Sequence, residues 1–555
     1  MQHENVVDRC GNHSAGRSDG PRVIEGLPGL RVPTRFADRT VWELIVRRAT
    51  ESPDAVMAVD ERRRSLTFGE YRKWCERVAA GLHERGVVAG SHVSWQLPTG
   101  MEALAVFGAL ARLQAVQNPI VPTYRDRELS FVLEQTAARM VLVPGTWRGH
   151  DYRAMADRVA GNLTREISVL CSEDGLPEAD PKRLPAMADP FDSPGHGPLR
   201  WIYFTSGSTS DPKGVLHSDA TLGTVAAILV ERLRMVKEDR IAMVFPFAHI
   251  GGSNFLLSAL MVGCRCLCVE SFDPETTVEF LAQEGVTLAG AGTVFHSAYL
   301  AAQRRSPDRR LFPRVRAFPG GGAPKPAHLH PAVKAEFGGA GIVSAMGLTE
   351  CQIVAMCDLD DPDDKLATTE GRPGPGAQVR VVDADERVCG PNEEGELRLV
   401  APQMFLGYLD ATLNSDAFDQ DGYFRTGDLG FFDDGGYLHV AGRLKDVINR
   451  KGENISAKEI EDELYHHPDI AEVAVIGLPD PVSGERCCAV VVPVVPGRSV
   501  DMAALQRFLD ERGLMRQKWP EQLEIVAQLP RAPAGKVLKQ ELQRRFAAPQ
   551  EASGR

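Results

Sequence analysis

"YFTSGSTSDPKGVLHS", residues 203–218, crowds serine, threonine and glycine ahead of a single lysine. Hydroxyls, unhindered backbone N–H groups and one ammonium in a short segment are what a protein uses to hold phosphate. Its flanks decide the fold. "RWIYF" (200–204) reads as a buried strand and "GVLHS" (214–218) follows without linker composition, so the loop is pinned between ordered elements. Two other phosphate and nucleophile patterns fail here. In a G-x-x-x-x-G-K-[ST] loop, Gly207 and Lys213 have the right separation, but Pro212 takes the second glycine's place and Gly214 the magnesium-binding hydroxyl's. A G-x-S-x-G elbow needs a glycine two residues before Ser206, and none stands there.

Amphipathic helices and short apolar strands alternate outward from this loop. Trp74, Val78 and Leu82 recur every fourth residue, Gly86 marks a stop, and "HVSWQL" reads as the next strand. "RMVLV" (139–143), "IAMVF" (241–245) and "CRCLCVE" (264–270) are further strands, which predicts α/β layers. The Pro-, Asp- and Gly-rich stretch 174–200 reads as a surface connection. Beyond "GYLHVAGRLKDVINRKGENIS" comes a second, compact pattern: a helix at 456–466, strands "EVAVIGL" and "CCAVVVPVV", and a helix at 502–512. The expected organisation is a disordered tail at 1–30, a large layered α/β domain at 31–444, a small mobile α+β domain at 445–546, and a tail at 547–555.

Composition removes several classes. Of 555 residues, 43% are hydrophobic and 25% charged, and 63 basic against 75 acidic residues give a net charge of −12. That argues against a general nucleic-acid binder, although a local pocket can still take a polyanion. The eleven cysteines form no disulfide framework. Cys264, Cys266 and Cys268 alternate along one strand face without a histidine nearby, so they read as small buried hydrophobes rather than metal ligands. The N-terminus has no signal-peptide apolar region and the longest apolar run is short, so a reduced cytoplasmic setting without a transmembrane segment is expected.

The loop resembles the phosphate signature of the adenylate-forming superfamily, which includes acyl-CoA synthetases, luciferases and peptide-synthetase adenylation domains. Six further motifs follow in the family's order: "FPFAHIGG" (245–252), "PGGGAPKP" (319–326), "MGLTE" (346–350), "YFRTGDLG" (423–430), "GRLKDVINRKGENIS" (442–456) and "LPRAPAGKVLK" (529–539). The resemblance runs from about "LTFGEY" to "LQRRF". It implies an acid–CoA ligase using ATP, Mg²⁺ and coenzyme A, which first joins a carboxylate to the α-phosphate and then passes the acyl group to a thiol.

The resemblance assigns roles by position. Thr205, Ser206, Gly207, Ser208, Thr209 and Lys213 would hold the β- and γ-phosphates, and Glu350, with Thr205, would bind Mg²⁺. Gly321, Gly322, Ala323 and Pro324 would border the adenine, the glycines allowing close backbone approach. Ser344, Ala345, Met346, Gly347 and Thr349 would complete the adenosine wall. Met346 stands where the family usually stacks an aromatic ring, so weaker ATP binding is expected. Asp428 would accept from the ribose hydroxyls, and Arg443 would contact ribose or α-phosphate. His249 would border the acyl carboxylate, with no acid–base role. Lys536 would reach into the cleft and bridge carboxylate and α-phosphate. Lys445 would be the hinge about which Gly452, Glu453 and Asn454 swing in to line the pantetheine tunnel.

Two alternatives remain. A sister enzyme would load the acyl group onto a carrier protein's phosphopantetheine, and the absence of a carrier domain after the last motif favours free CoA. A nucleotide-binding protein without catalysis would carry damage at Glu350, Asp428, Arg443 or Lys536, and all four are intact. The partners are therefore a small carboxylic acid, ATP and CoA, with no nucleic acid, in a monomer or homodimer. Few charges in the stretch after His249 and in "GAGTVFHSAYL" (290–300) point to a hydrophobic acid. "NPIVPTYRDREL" and "VPGTWRGHDY" look similar to cyclohexanecarboxylate-type and medium-chain acyl-CoA ligases.

Overall fold

In the computed structural model the described residues are 36, 40–187, 198–205, 212–323, 325–450, 453–495, 497–498, 500–532 and 535–547. The tail expected at 1–30 and residues 548–555 lie outside them.

The first strong periodicity becomes the helix Phe68–Glu84, opened by a capping box between Thr67 and Glu70. Val78 and Leu82 face the core fully buried, and Gly86 turns the chain at φ +87°. The strand His92–Trp95 then enters a seven-stranded sheet with 116–119, 140–143, 168–171 and 201–205 on its parallel side. At the other edge Trp201–Thr205 pairs antiparallel with Lys213–His217, and Gly407–Tyr408 covers that strand. Thr205 and Lys213, which flank the phosphate motif, thus stand opposite each other.

A second sheet joins 240–243, 265–268, 56–60 and 65–67. Cys264, Cys266 and Cys268 are 0–1% exposed in it and, among the described residues, no group of His, Cys, Asp and Glu is arranged to hold a metal. The helices Met101–Arg112 and Ile250–Val262 are buried on nearly every face, since strands and helices of one core pack around each of them. The strands Phe318–Gly321 and Ile342–Met346 run side by side in a third sheet, with Gly321 opposite Ala345. A fourth, antiparallel sheet sets Asp428 on the strand Phe424–Phe432 opposite Arg443 on Leu438–Arg443.

The smaller C-terminal domain is a five-stranded sheet covered on both faces. In the strands Ile470–Asp480 and Gly484–Pro493, Val473, Val475 and Cys487 pack beneath the helices Ala457–Leu464 and Met502–Glu511. Ala474, Ile476 and Cys488 face the other core, with Leu542. Two buried faces explain why the sequence reads as an unbroken apolar run. Among the described residues no helix is long and apolar enough to cross a membrane.

Candidate active site

On the phosphate side, Thr205 is half-buried at a strand end, and Ser206, Gly207, Ser208 and Thr209 lie outside the described residues. Lys213 holds its ammonium 5.1 Å above the Tyr408 ring. The same tyrosine donates its hydroxyl to Glu350 Oε1 at 2.7 Å. Glu350 is 9% exposed, so this bond stabilises a carboxylate that burial alone would disfavour. One ring therefore links the loop lysine to the expected metal ligand. Tyr408 carries no signal in sequence, being one aromatic in the apolar stretch "MFLGYLD".

On the acyl side, His249 caps the helix Ile250–Val262, its Nδ1 accepting from the Gly251 N–H at 3.1 Å. The ring stands edge-on to Phe245 at 4.7 Å and lines a cavity with Ile120, Val121, Tyr124, Tyr203 and Thr349. Burial pulls its pKa down from 6.5 to about 4, so the imidazole is neutral at physiological pH.

Three residues expected at the adenosine wall are engaged by neighbouring parts of the chain. A Cβ on Gly321 would fall 2.3 Å from the Ala345 carbonyl oxygen, so the neighbouring strand already requires this glycine. At Gly322, φ is +80° and nothing lies within 4 Å, which leaves open approach. Ser344 turns its hydroxyl inward, accepting from Lys325 Nζ at 2.7 Å and donating to the Thr369 carbonyl at 3.3 Å. Met346 is 8% exposed and packs with Val215, Cys351 and Val354. Its thioether belongs to this core cluster rather than to an open platform. Ala345 and Thr349 are half-buried, Gly347 packs against the Gln352 carbonyl, Ala323 is half-buried, and Pro324 lies outside the described residues.

The C-terminal lysine is where the two domains meet. A turn runs from Arg531 to Val537, with the Ala532 N–H donating to the Lys536 carbonyl and the Gly535 N–H to the Ala532 carbonyl. Arg531 braces it, donating to the Gly535 carbonyl at 2.6 Å and to Glu472 at 2.7 Å. Gly535, at φ +82°, comes so close to the large domain that a Cβ there would sit 3.0 Å from Val294 Cγ2. Lys536 is brought beside Asp428, Arg443 and Lys445. Arg443 Nε holds Asp428 Oδ1 at 2.7 Å.

Burial, then Arg443 and Lys445, brings the Lys536 ammonium from 10.5 down to about 8, against the pull of Asp428 and Asp446. Burial pushes the Asp428 carboxyl up, against Arg443 and Lys536. Lys536, Arg443 and Lys445 against the carboxylates of Asp428 and Asp446 leave one positive charge in excess. An added anion would relieve it. The donor set thus fits a nucleotide phosphate, and the buried Glu350 carboxylate fits one ligand of a hard cation. Glu453 and Asn454 lie on the strand Glu453–Ser456, paired with Arg450 and Asn449, and Gly452 lies outside the described residues.

A large α/β domain is met by a small α+β domain whose lysine turn packs against it at Val294. The AMP-binding enzyme family model matches residues 45–409, and that of the AMP-binding enzyme C-terminal domain matches 459–536. The chain belongs to the AMP-binding enzyme family and is an adenylate-forming ligase. It is 28% identical to a medium-chain fatty-acid–CoA ligase of Escherichia coli K12, over 95% of this chain and 96% of that one. It is 30% identical to a salicyl-AMP ligase / salicyl-S-ArCP synthetase of Mycobacterium tuberculosis, over 95% and 94%. ATP-bound MatB from Rhodopseudomonas palustris has a TM-score of 0.80 at 26% identity, covering 91% of this chain and 98% of that one. The apo form of MatB has a TM-score of 0.70.

Proposed function

We propose that the protein is an AMP-forming acid–CoA ligase for a hydrophobic carboxylic acid. The observation that carries this reading is Lys536, held beside the Asp428–Arg443 pair by a turn from the smaller domain. In the first half-reaction a carboxylate oxygen attacks the α-phosphorus of ATP, and the bond to the bridging oxygen breaks to release pyrophosphate. Two anions must meet, so charge neutralisation precedes orientation. Lys536 spans the incoming carboxylate and the α-phosphate, Arg443 adds a second cation, and Asp428 accepts from ribose. Thr205, Ser206, Gly207, Ser208, Thr209 and Lys213 hold the departing phosphates. Gly321, Gly322, Ala323 and Pro324 border adenine. Mg²⁺, bound through Glu350 and Thr205, would supply charge stabilisation to the phosphate oxygens.

In the second half-reaction the thiol of CoA attacks the acyl carbonyl and AMP leaves. We infer that residues from 445 onward turn about Lys445, withdrawing Lys536 and bringing Gly452, Glu453 and Asn454 to the tunnel. The better match to ATP-bound than to apo MatB supports reading the present arrangement as the first of the two states. His249 borders the carboxylate as a neutral wall. Its neutrality leaves the substrate's charge to Lys536.

A second reading, transfer to a carrier protein's phosphopantetheine, is favoured by the similarity to the salicyl-S-ArCP synthetase. Pyrophosphate release from a panel of acids, without acceptor, with CoA and with phosphopantetheinylated carrier protein, tests both. Acyl-CoA formation supports the first. Turnover with the carrier alone supports the second, and no pyrophosphate from any acid removes adenylation itself.

A further inference from the structure

The C-terminal signature "LPRAPAGKVLK" carries another cation, Arg531, which the steps above leave unused. Its guanidinium is a fork between two acceptors. Nη1 donates to the Gly535 carbonyl at 2.6 Å, and Nη2 to Glu472 Oε2 at 2.7 Å. Glu472 belongs to the strand Ile470–Asp480, which is paired along its length with Gly484–Pro493. The path from that sheet to Lys536 is therefore three groups long: a carboxylate, a guanidinium, and the carbonyl of the residue just before the lysine.

The Gly535 carbonyl is where such a contact has most effect. Gly535 sits at φ +82°, a region glycine enters without steric cost, and glycine is also the residue least restricted in ψ. Two peptide groups flank Lys536. The one after it has its carbonyl held by the Ala532 N–H at 2.7 Å, and the one before it has its carbonyl held by Arg531. With both peptide planes fixed, the direction in which the lysine side chain leaves the backbone is fixed as well. Stability gives a weak account of the same pair. The Arg531 and Glu472 side chains are 25% and 41% exposed, and ion pairs so open to water contribute little to folding. Placement gives a stronger account, because a charge acts on a transition state only when it is already aimed at it.

We propose that Arg531, anchored by Glu472, is the positioning residue of Lys536, serving adenylation and not thioester formation. This rests on the acid-activating reading above.

The test follows both half-reactions of the full-length enzyme in single turnovers, with the acid that the wild type activates best. Arg531→Met should lower the maximal rate of adenylation about tenfold or more, with half-saturating ATP and acid within about twofold of wild type. Thioester formation from pre-made acyl-AMP should keep its wild-type rate, since Lys536 has by then withdrawn. Arg531→Lys keeps one donor of the fork and should recover part of the loss. In a Lys536→Ala background Arg531→Met should cost nothing further, because it acts only through that lysine. A further loss in that background overturns the proposal. So does equal slowing of both half-reactions, which a merely structural brace would give, and so does an unchanged adenylation rate. Should Arg531→Met not fold, Arg531→Lys is carried through the same cycle. Labelling of amines with acetic anhydride, read by mass spectrometry, reports the turn without turnover. Lys536 should label several-fold faster in Arg531→Met than in the wild type, while Lys539 labels at an unchanged rate. With no pyrophosphate from any acid the activation reading falls, and equal labelling of Lys536 in variant and wild type would still remove Arg531 from the turn.

Discussion

The Tyr408 hydroxyl donates to Glu350 Oε1 at 2.7 Å, and the ring of the same tyrosine lies 5.1 Å beneath the Lys213 ammonium. Tyr408→Phe keeps the ring and removes only the bond. The buried carboxylate then loses a donor, which should cost on the order of 1–3 kcal/mol of stability. If Glu350 binds Mg²⁺, saturating Mg-ATP compensates, and the melting deficit shrinks when ligand is added. A deficit equal with and without Mg-ATP would remove Glu350 from the metal site.

Lys536→Ala should depress adenylate formation by roughly 10²–10³, the scale expected when one preorganised charge contact to a transition state is lost. Thioester formation from pre-made acyl-AMP should stay close to wild type, because that step follows withdrawal of the lysine. Single-turnover assays of the two half-reactions separate the outcomes. Equal loss in both would defeat the rotating-domain account.

Titration of Lys536 gives two opposite pH trends. Its folded pKa, about 8, lies below the ordinary 10.5. Between those values the undocked lysine binds the extra proton, so docking of the turn strengthens as pH rises. Catalysis needs the ammonium, so kcat/KM for adenylation should fall above about pH 8. In the ternary complex the triphosphate favours the charged form, and the kcat limb should therefore lie at higher pH. Lys536→Arg should carry the falling limb out of the accessible range. An unshifted limb in that variant would assign it to another group.

The fold was readable where local pattern and packing agree. Val78 and Leu82 announce a helix face, and "CCAVVVPVV" announces a strand buried on both sides. Motif order was enough to bring Asp428, Arg443 and Lys536 together, although nearly a hundred residues separate the last two. Other features depend on partners distant in sequence. Tyr408 matters because Gly407–Tyr408 is a two-residue strand against Lys213–His217, a pairing with no local signature. Gly321 invited an adenine explanation, yet the Ala345 carbonyl already excludes any side chain there. Ser344 reads as a free hydroxyl until Lys325 and Thr369 are seen to hold it.

His249 separates a capping role from a substrate role. Its Nδ1 accepts the Gly251 N–H, which an asparagine at the N-cap reproduces. His249→Asn should keep the melting temperature near wild type while altering the KM for the acid. His249→Phe keeps bulk at the cavity wall but loses the cap, and should cost about 1 kcal/mol. Because the pKa lies near 4, neither variant should change the pH profile between pH 6 and 8. A new inflection in that range would mean the imidazole does titrate during turnover.

Met346→Tyr tests whether a position expected at the adenine face belongs to the protein interior. Only 8% of Met346 is exposed, and its neighbours Val215, Cys351 and Val354 are fully buried. A tyrosine adds volume and a hydroxyl to a packed cluster, and overpacking of this kind typically costs about 1–3 kcal/mol. The variant should therefore melt lower, with the KM for ATP within about twofold of wild type. An aromatic platform against adenine would instead contribute about 0.5–1.5 kcal/mol of binding. That contact would lower the KM for ATP by two- to tenfold with kcat unchanged, since adenine keeps its charge throughout the reaction. Melting curves with and without ATP, beside initial rates at varied ATP, distinguish the two. A lower KM at unchanged melting temperature would return the side chain to the cleft.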